Sequence, residues 1–145
     1  MIEIDPWRRL QIDRERLAAS LHQEEHGARR WAVILDGASV GVIGVRYPWL
    51  FGPYLMLLAI FPGHQSAGVG SDLLRWLDDE AQAARGAAGG NVWACVSSFN
   101  VRALSFYERH GFESIGELPD LVRSGYSEIL IRKQLSRREA PDEPT

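Results

Sequence analysis

Apolar residues follow two repeats along this chain, one typical of helices and one typical of strands. The helical repeat occurs in three segments, which predict helices over Pro6–Glu25, Val69–Arg85 and Asn100–Gly111. Asp5 and Pro6 are residue types that favour the start of a helix. Asn100 is a typical N-cap and Gly111 a typical C-terminal stop, so the third helix is short.

Runs rich in β-branched, aromatic and aliphatic residues predict strands at Trp31–Leu35, Val40–Tyr47, Tyr54–Phe61, Asn91–Ser97, Phe112–Leu118 and Tyr126–Leu135. Asp36 and Gly37 form a hairpin signal between the first two runs. Pro48–Pro53 is predicted to be a loop with exposed aromatic residues. The continuous apolar run at Tyr54–Phe61 predicts a central strand that is covered on both faces.

This order of elements predicts an α/β (α+β) fold, in which a mixed sheet carries helices on its faces. Tyr54–Ser97 is a strand–helix–strand unit, so its two strands should be parallel and joined by a right-handed crossover. The length favours one domain over residues 1–135. Residues 136–145 are charged and contain two prolines, and we expect them to form a disordered tail.

The composition of the chain argues against several classes of binding partner. The net charge of −3 and the absence of a long basic run argue against a nucleic-acid partner. The longest apolar run is too short to span a bilayer and no secretory segment is evident, so no membrane partner is expected. Cys95 is the only cysteine, which predicts a buried, reduced thiol and a cytoplasmic protein. His22 and His26 have helical ligand spacing without an evident third ligand, so we expect no metal.

The junction after the central strand carries the clearest chemical signal. Pro62 ends the apolar run, and Gly68 and Gly70 lie where the next helix begins. Unpaired N–H groups and the positive end of the helix dipole converge at such a junction, which makes it a site for a phosphate or pyrophosphate.

Two motifs resemble the GNAT superfamily of N-acetyltransferases. The first motif comprises Ile60, Pro62, Gln65, Gly68 and Gly70. The second motif comprises Asn100, Ala103, Phe106, Tyr107, Gly111 and Phe112. The two motifs stand in the family's order on matching elements, and the resemblance covers roughly residues 31–135. It departs at the N-terminus, where the family's first strand is absent or reduced to Ile2–Ile4.

The resemblance implies a mostly antiparallel sheet whose central parallel strands splay apart between Leu58–Phe61 and Ala94–Ser97. It also implies acetyl-CoA as cosubstrate and Tyr107 as the general acid that protonates the leaving thiolate. An N–H of Leu58 or Ile60 would stabilise the oxyanion. The implied cofactor-binding residues are Leu58, Ala59, Ile60, Gln65, Ser66, Ala67, Gly68, Val69, Gly70, Ser71, Asn100 and Tyr107.

The expected reaction is direct attack of a primary amine on acetyl-CoA, which needs an acceptor for the amine proton. The central strand has no acidic residue, so the candidates are Glu24, Glu25, Glu117 and Asp120, or a water relay. Trp49, Phe51 and Tyr54 are expected to line either the acceptor pocket or a homodimer contact, and Leu118–Val122 is a candidate lid. The missing strand carboxylate leaves a second reading open, an acyl-CoA-binding module without transfer activity that acts as a sensor or partner subunit.

Overall fold

The computed structural model describes residues 27–65, 68–85 and 90–135 of the chain. The strands are β1 (Ala28–Leu35), β2 (Ala38–Trp49), β3 (Gly52–Ile60), β4 (Gly90–Ser97), β5 (Glu113–Pro119) and β6 (Ser127–Leu135). The described helices are α1 (Val69–Arg85) and α2 (Val101–Arg109). The predicted helix at Pro6–Glu25 and the predicted tail at residues 136–145 lie outside the described residues.

The strands form one six-stranded sheet in the order β1-β2-β3-β4-β6-β5. Neighbouring strands are antiparallel, apart from β3 and β4, which are parallel as predicted. The hairpin between β1 and β2 turns at Asp36 and Gly37, which have φ angles of 50° and 80°. The predicted fold class, a mostly antiparallel sheet with one central parallel pair, is therefore confirmed.

The prediction of a loop over Pro48–Pro53 is wrong. Strands β2 and β3 continue through this segment, with Trp49 paired to Gly52, and only Leu50 and Phe51 form the turn. Both residues have positive φ angles, 43° and 64°, which non-glycine residues seldom adopt. Side chains of β4 hold this turn, because Asn91 Nδ2 donates to Phe51 O at 3.1 Å and Trp93 Nε1 donates to Leu50 O at 3.1 Å.

Gly52 lies where this hairpin crosses β4. A Cβ atom at this position would overlap the backbone oxygen of Asn91. We therefore expect Gly52→Ala to lower the free energy of unfolding in urea by about 1–3 kcal/mol, the usual cost of overpacking. Gly116→Ala in β5 is the matched control, because a Cβ there would meet no atom within 4 Å. An equal loss of stability in both variants would contradict the close-contact explanation.

A β-bulge interrupts the central strand. Gly44 is paired with Leu57 and Val45 with Leu55, so Met56 is an extra residue in β3. A bulge bends its strand and increases the local twist. The parallel pairing of β3 with β4 covers only Tyr54–Trp93 and Leu55–Ala94, the residues just before the bulge. Beyond this point the two strands separate, in the region where the splay is predicted.

Both described helices pack against the same face of the sheet. The buried core on this face joins Leu74 and Leu77 of α1 to alternate residues of β4, with Phe106 and Tyr107 of α2 packed against it. Lys133 Nζ of β6 lies 2.6 Å from Asp78 Oδ2 of α1, which ties the helix to the sheet. In the described part of the chain, no helix has the length and apolar character needed to cross a membrane.

Candidate active site

The glycine-containing junction runs from the end of β3 to the start of α1. Gln65 turns back along it, and its Nε2 donates to Ile60 O at 3.2 Å. Gly68 has a φ angle of 77°, a left-handed conformation that other residues rarely adopt. The Asp72 N–H donates to Gly68 O at 3.1 Å, which closes the first turn of α1. Ser66 and Ala67, two of the predicted cofactor-binding residues, lie outside the described residues.

The first turn of α1 rests on α2. A Cβ atom at Gly70 would lie 3.1 Å from Phe106 Cζ, so a glycine allows the two helices to approach each other closely. His110 follows α2 and connects the same pair of helices. Its Nδ1 lies 2.7 Å from Phe106 O and its Nε2 lies 2.8 Å from Ser71 Oγ. Because a carbonyl oxygen can only accept, Nδ1 donates, and in the neutral ring Nε2 accepts from the Ser71 hydroxyl.

Sequence reasoning missed His110, although it stands within the second motif. Its signal is its position one residue before Gly111, at the end of α2, where a side chain can reach the neighbouring helix. The contact joins the glycine junction, through Ser71, to the helix that carries Asn100 and Tyr107. The two motifs are thus in physical contact in the fold.

Asn100 caps α2 as predicted. Its Oδ1 accepts a hydrogen bond from the Ala103 N–H at 3.1 Å. The Asn100 N–H donates to Ser97 O at 2.9 Å, so the cap follows directly from the end of β4. Its side-chain Nδ2 group is not used by the cap and can donate to a ligand.

Tyr107 lies on α2 between two other aromatic residues. Its ring centroid is 5.3 Å from that of Phe106 and 5.3 Å from that of Phe112, both in edge-to-face geometry. Burial raises the pKa of Tyr107 to about 12, so the phenol keeps its proton at neutral pH. No residue within 27–65, 68–85 and 90–135 forms a hydrogen bond with this hydroxyl. A protonated phenol without a described partner is able to donate to a ligand.

The gap between β3 and β4 lies beside these residues. Met56–Ile60 of β3 and Cys95–Ser97 of β4 follow the last parallel pair and have no register partner across the gap. Main-chain N–H and C=O groups on those edges are therefore free to pair with an extended, amide-bearing ligand. Leu58, Ala59 and Ile60, predicted to bind the cofactor, lie on this stretch of β3.

The structure changes the list of candidate proton acceptors. Glu24 and Glu25 lie outside the described residues. Asp120 Oδ1 accepts from the Gly125 N–H at 2.7 Å and so shapes the turn between β5 and β6. Glu117 is exposed and lines a cleft of about 410 Å³ together with Leu104 and Ile129, on the face that carries the helices.

Glu128 is an acidic residue that sequence reasoning missed. Its side chain is only 8 % exposed, and it is paired across the sheet with Ser97, the last residue of β4. Ser97 Oγ donates to Glu128 Oε1 at 2.8 Å. The available signal was an acidic residue directly before the apolar run Ile129–Ile131, although only the register shows that it borders the gap.

Tyr54 and Cys95 lie close to Glu128. Burial, the side-chain hydrogen bond with Cys95 and electrostatic interactions with Cys95 and Glu128 all raise the pKa of Tyr54, against a smaller opposing effect of Arg46. Cys95 is half-buried, whereas the sequence predicted a buried thiol. In the described part of the chain, no group of three or more histidine, cysteine or acidic side chains could hold a metal, and His22 and His26 lie outside it.

The predicted aromatic group is only partly a cluster. The Trp49 ring centroid lies 4.8 Å from Tyr54 and 5.3 Å from Trp93. Phe51 projects from the hairpin turn and is 69 % exposed. Sequence reasoning missed Trp93, because its contact with Trp49 depends on the hairpin crossing β4.

Comparison with known proteins gives matches in both sequence and fold. The model of the Acetyltransferase (GNAT) family matches residues 2–112. An N-alpha-acetyltransferase RimI of Mycobacterium tuberculosis (strain ATCC 25618 / H37Rv) is 31 % identical over 112 residues, which are 77 % of this chain. This chain spans 65 % of the length of that relative, just under two thirds.

Solved structures share the fold at low sequence identity. The ribosomal-protein-S18-alanine N-acetyltransferase from Escherichia coli is 20 % identical with a TM-score of 0.67, over 90 % of this chain and 82 % of that protein. An acetyltransferase of Bacillus anthracis, solved in complex with acetyl coenzyme A, is 17 % identical with a TM-score of 0.67. That match covers 81 % of this chain and 68 % of the Bacillus protein.

Proposed function

Because this chain belongs to the acetyltransferase (GNAT) family, we propose that it transfers the acetyl group of acetyl-CoA to a primary amine. The observation that carries the proposal is the gap between β3 and β4, which opens towards the ends of these strands that lead into the glycine junction and into α2. The acetyl-CoA complex of the Bacillus relative supports the choice of cosubstrate.

The pyrophosphate of acetyl-CoA binds at the start of α1. The first N–H groups of a helix lack partners within the helix, and the helix dipole adds positive potential there. Gly68 and Gly70 let the phosphates approach the main chain closely, and Gln65, Val69 and Ser71 complete the junction. The pantetheine arm then enters the gap and pairs with Leu58–Ile60 as an added strand would.

The reaction proceeds by direct attack of the neutral amine on the thioester carbonyl. A main-chain N–H of Leu58 or Ile60 stabilises the oxyanion of the tetrahedral intermediate. As the intermediate collapses, the C–S bond breaks and Tyr107 donates its proton to the sulfur. Asn100 holds the arm through its Nδ2 group.

The proposed acceptor is the α-amino group of a peptide. Similarity to an N-alpha-acetyltransferase supports this class, and the identity of 31 % makes it the first class to test. A peptide in extended conformation could reach the gap from the sheet face opposite α1 and α2.

Release of free CoA thiol, followed with a disulfide reagent, tests the proposal. The panel contains a peptide with a free N-terminus, the same peptide with a blocked N-terminus and an internal lysine, and small amines. We expect thiol release with the free peptide and an added acetyl group on its first residue in the mass spectrum. Saturable acetyl-CoA binding without turnover on any amine would instead indicate the acyl-CoA-binding module.

A further inference from the structure

We propose that Glu128 is the group that takes the proton from the amine, so that the base of this reaction lies on β6 rather than on the central strand. The inference rests on the proposed transfer to an amine and deepens it. It assigns a catalytic role to a side chain that neither motif contains.

The first argument is the sheet face on which Glu128 lies. Val92, Ala94 and Val96 of β4 belong to the core beneath the helices, so Ser97 points to the opposite face. Glu128 is the register partner of Ser97 and shares that face. Tyr107, in contrast, packs with α2 against the helix-covered face. An acid and a base on opposite sides of a thioester in the gap would let the amine enter from one side and the thiolate leave towards the other.

The second argument is the state of the carboxylate. Glu128 is the one acidic or basic side chain among the buried residues of the described chain. Ser97 Oγ binds Oε1, and no residue within 27–65, 68–85 and 90–135 donates to Oε2. A buried carboxylate with one unused oxygen is costly unless a ligand, a water or a cation meets it. An incoming ammonium group provides such a partner.

The third argument concerns the charged and titratable neighbours of Glu128 on its face of the sheet. Tyr54 of β3 and Cys95 of β4 share this face, and neither supplies a positive charge. Arg46 of β2 is the register partner of Tyr54 on the neighbouring strand and lowers its pKa. Arg132, four residues along β6, binds Asn91 Oδ1 at 2.6 Å and 3.0 Å and stacks over Trp93. Arg46 of β2 and Arg30 of β1 are the other described cations on this face, and at least two strands separate them from β6.

With Glu128 as the base and Tyr107 as the acid, every proton in the reaction has a donor and an acceptor. The ammonium group gives one proton to Glu128, directly or through one water, and its lone pair forms the C–N bond. Collapse of the intermediate breaks the C–S bond, and the sulfur takes a proton from Tyr107. The nitrogen that has become an amide loses its second proton to solvent on the side of Glu128, Glu128 releases its own proton to solvent, and Tyr107 regains its proton from solvent.

The test compares kcat/KM of the full chain and of Glu128→Gln with the free-N-terminus peptide between pH 6 and pH 9.5. Glutamine keeps an acceptor for Ser97 but cannot take a proton. We expect a loss of about 100-fold at pH 6.5, the scale of a positioned base. The loss should shrink to less than about tenfold at pH 9.5, because the α-amino group, with a pKa of about 7.7–8.0, is then already neutral.

Three variants separate catalysis from architecture. Glu113→Gln makes the same change at an exposed carboxylate of the neighbouring strand β5, outside the candidate site, and should follow the unsubstituted chain at every pH. Glu117→Gln makes the change at the other described candidate for the base. Glu128→Asp keeps a carboxylate and should keep the shape of the profile at a reduced rate, which tests the proposal even if the glutamine variant folds poorly. Thermal unfolding reports on folding in each case.

The outcomes discriminate between the two proposals. A loss in Glu128→Gln that is equal at all pH values, or no loss, overturns the assignment of Glu128 and leaves the proposed transferase activity intact. A pH-dependent loss in Glu117→Gln instead moves the base to that residue. No turnover by the unsubstituted chain on any amine overturns both proposals.

Discussion

Tyr107→Phe should lower kcat by about 100-fold while the affinity for acetyl-CoA changes little. The size follows from the removal of a positioned acid, which contributes about 10²–10⁴-fold to a proton transfer. The substitution removes only the hydroxyl, so the edge-to-face contacts of the ring with Phe106 and Phe112 are kept. Steady-state kinetics with the free-N-terminus peptide, together with equilibrium binding of acetyl-CoA, measure the two effects separately.

The raised pKa of Tyr107 adds a condition on the pH profile. With a pKa of about 12, the phenol remains protonated through the whole neutral and mildly alkaline range. The rate of the unsubstituted chain should therefore not decline between pH 8 and pH 10 through loss of this proton. An ordinary tyrosine, with a pKa of about 10, would begin to lose its proton within that range.

Tyr47→Phe is the control for the loss of a phenol. Tyr47 is 41 % exposed and lies on β2 near the hairpin turn, remote from α2 in the order of the sheet. The Tyr47→Phe variant should retain the kcat of the unsubstituted chain. If the kcat of Tyr107→Phe stays within a factor of about two of the unsubstituted value, Tyr107 is not the general acid. A positioned acid contributes far more than a factor of two to the rate.

The helices show how much a local pattern can predict. The sequence places the start of α1 at Val69 and the cap of α2 at Asn100, and both agree with the structure. Each signal is local, because the capping side chain and the helix it caps are neighbours in sequence. The contact between these helices, made through Gly70 and His110, depends on their tertiary placement and could not be predicted from spacing.

The central hairpin shows where local signals fail. Leu50 and Phe51 carry no turn signal of the usual kind, yet they adopt the positive φ angles of a tight hairpin. Side chains of β4, some forty residues later in the chain, supply the stabilising hydrogen bonds. The bulge at Met56 is equally hidden, because a continuous apolar run has no alternation that an extra residue could interrupt.

Glu128 shows the same limitation at the site itself. An acidic residue near the end of a strand is ordinarily solvent-facing, because charged side chains are rarely buried. The antiparallel register places it against Ser97 at the edge of the gap. Its candidate role thus follows from the pairing of two strands that are distant in sequence.

Gly68→Glu should abolish measurable binding of acetyl-CoA. A side chain at this position carries a negative charge to the start of α1, where the pyrophosphate is proposed to bind. Two unit charges about 5 Å apart repel each other by roughly 3 kcal/mol at an effective dielectric constant of about 20. That energy alone corresponds to an increase in Kd of more than about 100-fold. Isothermal titration with acetyl-CoA measures the change.

Backbone strain must be separated from charge in this experiment, and Gly63→Glu provides the control. Gly63 has a φ angle of 90° and Gly68 one of 77°, and a Cβ at either position would meet no atom within 4 Å. Both substitutions therefore force a non-glycine residue into a left-handed conformation in open space. Since Gly63 precedes Gln65 and Gly68 directly precedes α1, only Gly68→Glu should lose the cosubstrate.

A second ligand separates a loss of pyrophosphate binding from a distortion of the loop. S-acetylpantetheine lacks the pyrophosphate, so its weaker binding should be the same in Gly68→Glu as in the unsubstituted chain. Added salt screens exposed charges, with a Debye length of about 10 Å at 0.1 M, and should partly restore acetyl-CoA binding to the variant. Loss of both ligands, insensitive to salt, would indicate a distorted loop. Normal acetyl-CoA binding in Gly68→Glu would place the pyrophosphate elsewhere, and the start of α1 would then have no part in cosubstrate recognition.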